Sequence, residues 1–446
     1  MVLMKRKASI LTFTATLLVL FLIVASAPSL NAAYEPPGVW DKTYGPIEGH
    51  SLMQASDGGY VIAGDEGVWH RSRGPGSFTN ITFLLIKTDS SGQIQWRKNY
   101  GRGSAQSAVL TIDGGYALVG YGVESNLIKV DSEGNVQWSK KYSVFSDCPP
   151  RDMVQTQDGG YAIAGYANPD HGSESRLVKI DANGNLQWNK TYSTALEYNS
   201  VYSLVEAKDG GFAMAGITGY HSHGDLDAWL VKTDSMGNLE WEKSIGRAER
   251  DYGSSLVATM DGGYLLAGHT ASFGAGDDDG WLVKTDSQGN VLWNMAYGST
   301  GGDSFSSVVQ TADGGYVAAG TFNDLDKSPS AATMVVKIDA LGNVKWVIKH
   351  QNSYSKLLSI VGTQDGGYAF TGEKALGRYS DVTDIWFVKN TLPSDFQGTP
   401  LGFQVTLAPP EPPETFPITW IMIAAVTVVT GLGFVMLAYL IKKRKR

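Results

Sequence analysis

Cysteine is almost absent: Cys148 stands alone among 446 residues. No internal disulfide can form, so an exported form of this chain relies on packing, and cysteine-built zinc sites are excluded. The sequence also lacks an HExxH pair, a GxSxG elbow, a phosphate-binding glycine loop and a cysteine–histidine arrangement suited to nucleophilic catalysis. Basic charge is thin. The two ends hold eight of the 36 Lys and Arg, leaving 28 against 44 Asp and Glu across the remainder. That acidic balance argues against a nucleic-acid partner.

What the chain does have is a repeat. DGG followed by Tyr or Phe begins at Asp57, Asp113, Asp158, Asp209, Asp261, Asp313 and Asp365, at spacings of 56, 45, 51, 52, 52 and 52 residues. A period near 50 signals a solenoid, array or propeller. Residues 261–298 show one copy in full: DGGYLLAGHTASFGAGDDDGWLVKTDSQGNVLWNMAYG. Alternating apolar residues before and after Asp-Gly predict two strands joined by a two-residue type I′ hairpin. WLVKTD and NVLWNMAY predict two more, linked through DSQGN by a type I turn that ends in a left-handed glycine. Each copy is then a four-stranded antiparallel meander, unable to bury both faces alone, so the copies must stack.

The ends say how the stack closes. The fourth strand carries Trp96, Trp138, Trp188, Trp241, Trp293 and Trp346, one fewer than the DGG count, and the seventh copy stops after its third strand at residue 390. The missing strand stands at the other terminus, VWDKTYG with Trp40. The expected fold class is therefore all-β: a seven-bladed β-propeller of four-stranded antiparallel blades over residues 38–390, its last blade closed by the N-terminal strand. Closure removes the exposed edges of an open array. The seven tryptophans are expected to pack between neighbouring sheets. The glycine closing each second strand (Gly64 to Gly372) and the lysine of each third strand (Lys87 to Lys389) recur in every copy and read as framework.

Flanking segments give an address. Lys5, Arg6 and Lys7 precede an apolar run over residues 10–24 and small residues as far as Ala33, the pattern of a signal peptide over residues 1–33. Residues 391–417 hold seven of the 16 prolines and read as a semi-rigid stalk. Residues 418–441 carry no charge and are long enough for a transmembrane helix, followed by a basic cytoplasmic tail over residues 442–446. The expected location is the plasma membrane, single-pass, with the N-terminal domain extracellular and the C-terminus cytoplasmic. Asn80 and Asn189 open glycosylation sequons.

The copies resemble the exported surface propellers of archaea and bacteria that repeat DGGY and WLVKTDxxGNxxW. KTDSQGNVLW also resembles the docking motif of PQQ-type, quinoprotein-like propellers. That resemblance implies the fold and places the motif between the third and fourth strands. It implies no activity here, because such folds host many functions and no cofactor cage can be matched.

Function is expected where the copies differ. The longest loop between a second and third strand holds Trp69, His70, Arg71, Arg73 and Phe78, the chemistry of a binding hot spot. Candidate metal ligands are His221, His223, Asp225 and Asp227, with Asp277, Asp278 and Asp279 in the corresponding loop of the next copy. No cofactor is expected; calcium at the aspartates and a transition metal at the histidines are the ions these loops could take. Glu249, Asp251, Asp303, Asp324, Asp326, Asp381 and Asp384 supply carboxylates that could form a glycosidase-like pair, but no pair is fixed by spacing. The reading is a membrane-anchored extracellular propeller, a cell-surface binding, adhesion or envelope module for a surface protein or glycan. The alternatives are a polysaccharide-active enzyme and a multivalent lectin.

Overall fold

A computed structural model describes residues 40–66, 81–122, 126–166, 174–192, 198–219, 225–323, 332–350, 355–375, 383–390 and 404–407. Nearly all regular structure in these residues is strand. In chain order the strands are β1 (Trp40–Gln54), β2 (Tyr60–Glu66), β3 (Thr82–Thr88), β4 (Ile94–Leu110), β5 (Tyr116–Gly122), β6 (Leu127–Val130), β7 (Val136–Lys140), β8 (Pro150–Gln155), β9 (Tyr161–Tyr166), β10 (Ser175–Ile180), β11 (Leu186–Thr191), β12 (Asn199–Glu206), β13 (Phe212–Thr218) and β14 (Asp227–Thr233). They continue as β15 (Leu239–Ile245), β16 (Asp251–Ala258), β17 (Tyr264–Thr270), β18 (Asp279–Thr285), β19 (Val291–Gly298), β20 (Ser304–Gln310), β21 (Tyr316–Phe322), β22 (Ala332–Ile338), β23 (Val344–His350), β24 (Ser355–Gly362), β25 (Tyr368–Ala375), β26 (Thr383–Asn390) and β27 (Gln404–Leu407). The one helical element described is a 3-10 turn, Ser143–Phe145. No helix among the described residues is long and apolar enough to cross a membrane.

The fold is an all-β propeller of four-stranded antiparallel blades. Its strands form five continuous sheets rather than seven separate ones, because β1 and β4 each run unbroken from one blade into the next. The first part of β1 pairs with β26 (Trp40↔Lys389, Thr43↔Trp386) and its second part with β2. β4 pairs first with β3 and then with β5. A ten-stranded sheet results, three four-strand successions in a row, beside sheets of four, four, five and four strands. The five-stranded sheet was not expected: within the proline-rich stretch, β27 pairs antiparallel with β19, the outer strand of its blade (Met295↔Leu407, Gly298↔Gln404). The remainder of the expected stalk, the signal peptide, the transmembrane span and the basic tail lie outside the described residues.

The turns explain the repeated residues. In the hairpin of residues 259–263 the Gly262 amide donates to the Thr259 carbonyl and the Thr259 amide to the Gly263 carbonyl, and Gly262 has φ of 91°. The central residues are thus Met260 and Asp261, a type I turn with a following left-handed glycine, not the expected type I′. The Asp261 carboxylate explains the difference. It accepts from the Gly263 amide and from Lys284 of the third strand, leaving Asp261 committed to its own turn. All seven copies join this aspartate to the third-strand lysine, from Asp57–Lys87 at 2.7 Å to Asp365–Lys389 at 2.5 Å. The lysine side chains are nearly buried, so these pairs are screened less than ordinary surface bridges.

Neighbouring blades interlock in layers. Trp96, Trp138, Trp188, Trp241 and Trp346 each pack on the Tyr or Phe after the next DGG, with ring centroids 5.7–6.1 Å apart. Trp293 instead donates to the Ala340 carbonyl of the next blade. Tyr100, Tyr142, Tyr192 and Tyr297 donate to the turn-glycine carbonyl of the following blade, and Tyr44 does the same to Gly92.

The innermost layer is a hydrogen-bonded circle on the first strands. The amide of Leu204 donates to Asp152, Leu256 to Ser203, Val308 to Ser255, Ile360 to Ser307, Leu52 to Ser359 and Ala108 to Ser51. The remaining step runs from the Ser107 hydroxyl to Asp152, because Asp152 itself accepts from the Met153 amide. Burial pushes the Asp152 carboxyl above its ordinary value despite these donors.

Candidate functional site

Each first strand carries a β-bulge just before the Ser or Asp of this circle. The extra residues are His50, Gln106, Arg151, Tyr202, Ser254, Ser306 and Leu358. The second-strand glycine faces the bulge: a Cβ at Gly268 would stand 1.7 Å from the Tyr252 carbonyl oxygen. Framework residues therefore fix the bulge while the extra residue changes from copy to copy. Bulges commonly re-aim side chains beside functional sites. The residue after the facing glycine varies too: Asp65, Tyr121, Tyr166, Ile217, His269, Thr321 and Glu373.

These two variable sets meet. The Arg151 guanidinium lies 5.3 Å from the Tyr121 ring centroid and 4.8 Å from that of Tyr166. It donates to Gln106 Oε1 at 3.1 Å and to the Tyr166 hydroxyl at 3.0 Å. Tyr166 meets Tyr202 edge to face at 5.4 Å, and further round Tyr252 stacks on His269 at 4.6 Å. Burial raises the Tyr121 and Tyr202 hydroxyls above their ordinary range, so both remain neutral donors. The arrangement presents aromatic faces and edge donors over three consecutive blades, all half-buried rather than sealed.

On the side of the first blade the same positions hold charge. His50 Nε2 is 3.2 Å from Asp65 Oδ2 and 3.8 Å from Glu48 Oε2. Asp65 also accepts from the Ser104 hydroxyl at 2.6 Å and the Ala105 amide at 2.9 Å, both on the next blade. Burial disfavours a charged imidazole, but the hydrogen bond and charge of Asp65, with Glu48 and Glu373 behind it, hold His50 above its ordinary value. Burial and then Glu373 raise Glu48.

The residues expected to form sites fare differently. Trp69, His70, Arg71, Arg73, Phe78, His221, His223 and Asn80 lie outside the described residues, as do Asp324, Asp326 and Asp381. Of Asp384 only the backbone is described, paired with Lys374 in β25. Asn189 sits in β11, and Trp40 in β1 is paired through its backbone. Asp225 precedes β14, and Asp277 and Asp278 are in the loop before β18.

Asp227 and Asp279 are buried. Asp279 Oδ2 accepts from the Ala275 and Gly276 amides, and Asp227 accepts from the Ser244 hydroxyl. Each crowds a second aspartate. A Cβ at Gly298 would lie 2.1 Å from Asp279 and 2.5 Å from Asp303; one at Gly246, 2.2 Å from Asp227 and 2.7 Å from Asp251. Burial, with the neighbouring Asp279 charge, raises Asp303 to about 7. Asp303 meanwhile accepts from the Asn323 and Ser299 amides, and Asp251 from the Arg247 amide and Ser272 hydroxyl. All four carboxylates are buried. Glu249 is exposed on the loop before Asp251.

The bulge residues escaped the sequence reading because each looks like one more polar position in a strand. A signal existed: the first strand repeats x-Ser-apolar-Val or a close variant just before DGG, and only the x varies strongly.

No family model matches the chain. A stretch of 143 residues is 25% identical to the regulatory protein FlaEY of Caulobacter vibrioides, covering 29% of this chain and 15% of that protein, so the chain spans a small part of that relative. Among solved structures, Sqt1 from Chaetomium thermophilum is similar at 12% identity and a TM-score of 0.46, over 78% of this chain and 97% of that one. A putative gluconolactonase is similar at 10% and 0.40, over 80% and 94%. The polysaccharide lyase Uly1 is similar at 11% and 0.48, over 76% and 89%.

Proposed function

We propose that this chain is a seven-bladed propeller of the exported repeat type that binds a glycan at the bulge-bearing ends of its first strands. The count of seven takes the ten-stranded sheet as three blades joined through β1 and β4, and its support is the circle of seven blade-to-blade steps through residues 51, 107, 152, 203, 255, 307 and 359. The observation that carries the ligand reading is Arg151 held between Tyr121 and Tyr166, with Tyr202 beyond. A sugar ring offers an apolar C–H face and a rim of hydroxyls, and aromatic faces with fixed donors at their edges complement both. With the signal peptide and the span at residues 418–441 expected from the sequence, the same proposal is one of a membrane-anchored module, outside the cell, acting in surface binding or adhesion.

The polysaccharide-active alternative is less well supported. Asp251 and Asp303 are buried and spent on backbone amides, whereas a hydrolytic pair needs both carboxyls facing a cleft about 5–10 Å apart. The test is a glycan array followed by calorimetry on the chain truncated before residue 418. Arg151→Ala and Tyr202→Ala are expected to weaken the best ligand at least about tenfold while the fold is retained. Unchanged affinity in both would overturn the assignment, and release of shortened oligosaccharides would favour the enzyme.

A further inference from the structure

Glu48 and His50 flank Gly49 on β1, and Asp65 is the register partner of Glu48 on β2. The bulge between Gly49 and Ser51 brings Glu48 and His50 to one side, so that a carboxylate oxygen from each acid and a ring nitrogen of His50 all lie within 4.8 Å of one another. At the equivalent three positions, none of the other six copies carries more than one His, Asp or Glu. The framework is common to all copies, so the trio is particular to this blade and is not demanded by the fold.

We propose that Glu48, His50 and Asp65 form a binding site for a divalent first-row transition cation, with zinc as the reference ion. Ligands about 2 Å from zinc at tetrahedral angles are about 3.3 Å apart. The His50–Asp65 and His50–Glu48 separations, 3.2 and 3.8 Å, already bracket that value. Two carboxylates and one imidazole suit zinc or manganese better than calcium, which wants six or more oxygens. Asp65 is oriented by Ser104 and Ala105, the kind of supporting hydrogen bonds that ligating carboxylates use.

Charge points the same way. Glu48 is repelled by the charges of Glu373 and Asp65, and the cations that offset them at Glu48 are His50 and Lys356. His50 and Glu48 side chains remain about one-fifth exposed, which leaves a coordination position open to water or to a ligand donor. The site faces the same strand ends as the Arg151 cluster, but it does not depend on the glycan reading.

The experiment is calorimetric titration of the truncated, folded chain with zinc chloride, with calcium chloride as the comparison ion and melting temperature as a second readout. One zinc per chain is expected, with a raised melting temperature, and no calcium binding at the same concentrations. His50→Gln and Glu48→Gln are expected to weaken zinc about 100-fold or more while remaining folded by melting. If one variant fails to fold, the other decides. Absence of zinc binding at millimolar concentration would overturn the proposal, as would zinc binding that both variants leave unchanged.

Discussion

The Leu52 amide donates to the Ser359 hydroxyl oxygen at 3.2 Å, across 307 positions of sequence. It is the step that returns the inner circle to its start, and its geometry matches the interior steps Leu256–Ser203 at 3.1 Å and Val308–Ser255 at 3.3 Å. Ser359→Ala and Ser255→Ala are therefore expected to cost alike, about 1–3 kcal/mol each, because each strands a buried amide. Chemical denaturation measures both. A Ser359→Ala variant as stable as the parent, beside a destabilised Ser255→Ala, would mean that the circle is open at that joint.

The two glycines of each DGG differ in what they forbid. A Cβ at Gly263 would stand 2.1 Å from the Thr285 carbonyl oxygen and 2.9 Å from Lys284 Nζ, whereas at Gly262 it would meet nothing, the constraint there being φ of 91°. Gly262→Ala is expected to cost about 1–2 kcal/mol from backbone strain alone. Gly263→Ala is expected to cost about 3 kcal/mol or more, since the third strand has to give way. Equal costs would contradict the close packing of the second glycine.

Asp303 supplies a pH dependence of defined sign. Its folded value of about 7 stands above the ordinary 3.8, so the folded state holds this proton more tightly than the unfolded chain. The associated stability is fully present below about pH 4 and is lost as the pH rises through 7. The turn aspartates behave oppositely. Against the effect of burial, threonine hydroxyl, lysine and amide donors bring Asp113, Asp158, Asp261 and Asp313 down to about 2, so their stabilisation is present above the ordinary value and lost on acidification through 2. Melting temperatures between pH 4.5 and 8 are expected to fall for the parent and to fall less for Asp303→Asn. An identical slope in the variant would remove Asp303 as the source.

Tyr44 and Tyr100 perform one task in consecutive blades, each donating to a turn-glycine carbonyl at 2.7 and 2.8 Å. Tyr44→Phe is expected to match Tyr100→Phe, at about 1 kcal/mol. Deleting the chain through Gly45 removes four of the five register pairs with β26 and is expected to unfold or oligomerise the domain, which size-exclusion chromatography with melting would report.

Much of the framework was legible because it is repetitive. DGG, the left-handed turn glycines and the tryptophans each recur with the blade, and the odd tryptophan at residue 40 was enough to seek its partner at the far end of the repeat. The site was less legible for the same reason. A bulge adds one residue without altering composition, so His50 and Arg151 looked like ordinary strand positions. Asp227 and Asp279 were read as candidate cation ligands because acidic residues crowd there, and the crowding is real: each is buried beside a second aspartate, Asp251 and Asp303, with its Oδ2 accepting hydrogen bonds. β27 was hidden by the prolines around it, which outweighed the short alternation of Gln404-Val-Thr-Leu407.

Where β27 lies has a mechanical consequence. Tension applied to the polypeptide beyond Leu407 would first strain the short ladder against β19 and only afterwards reach the seam where β26 grips β1. The four-residue strand thus acts as a strain relief, diverting a tug on the tail away from the joint that keeps the wheel from unrolling.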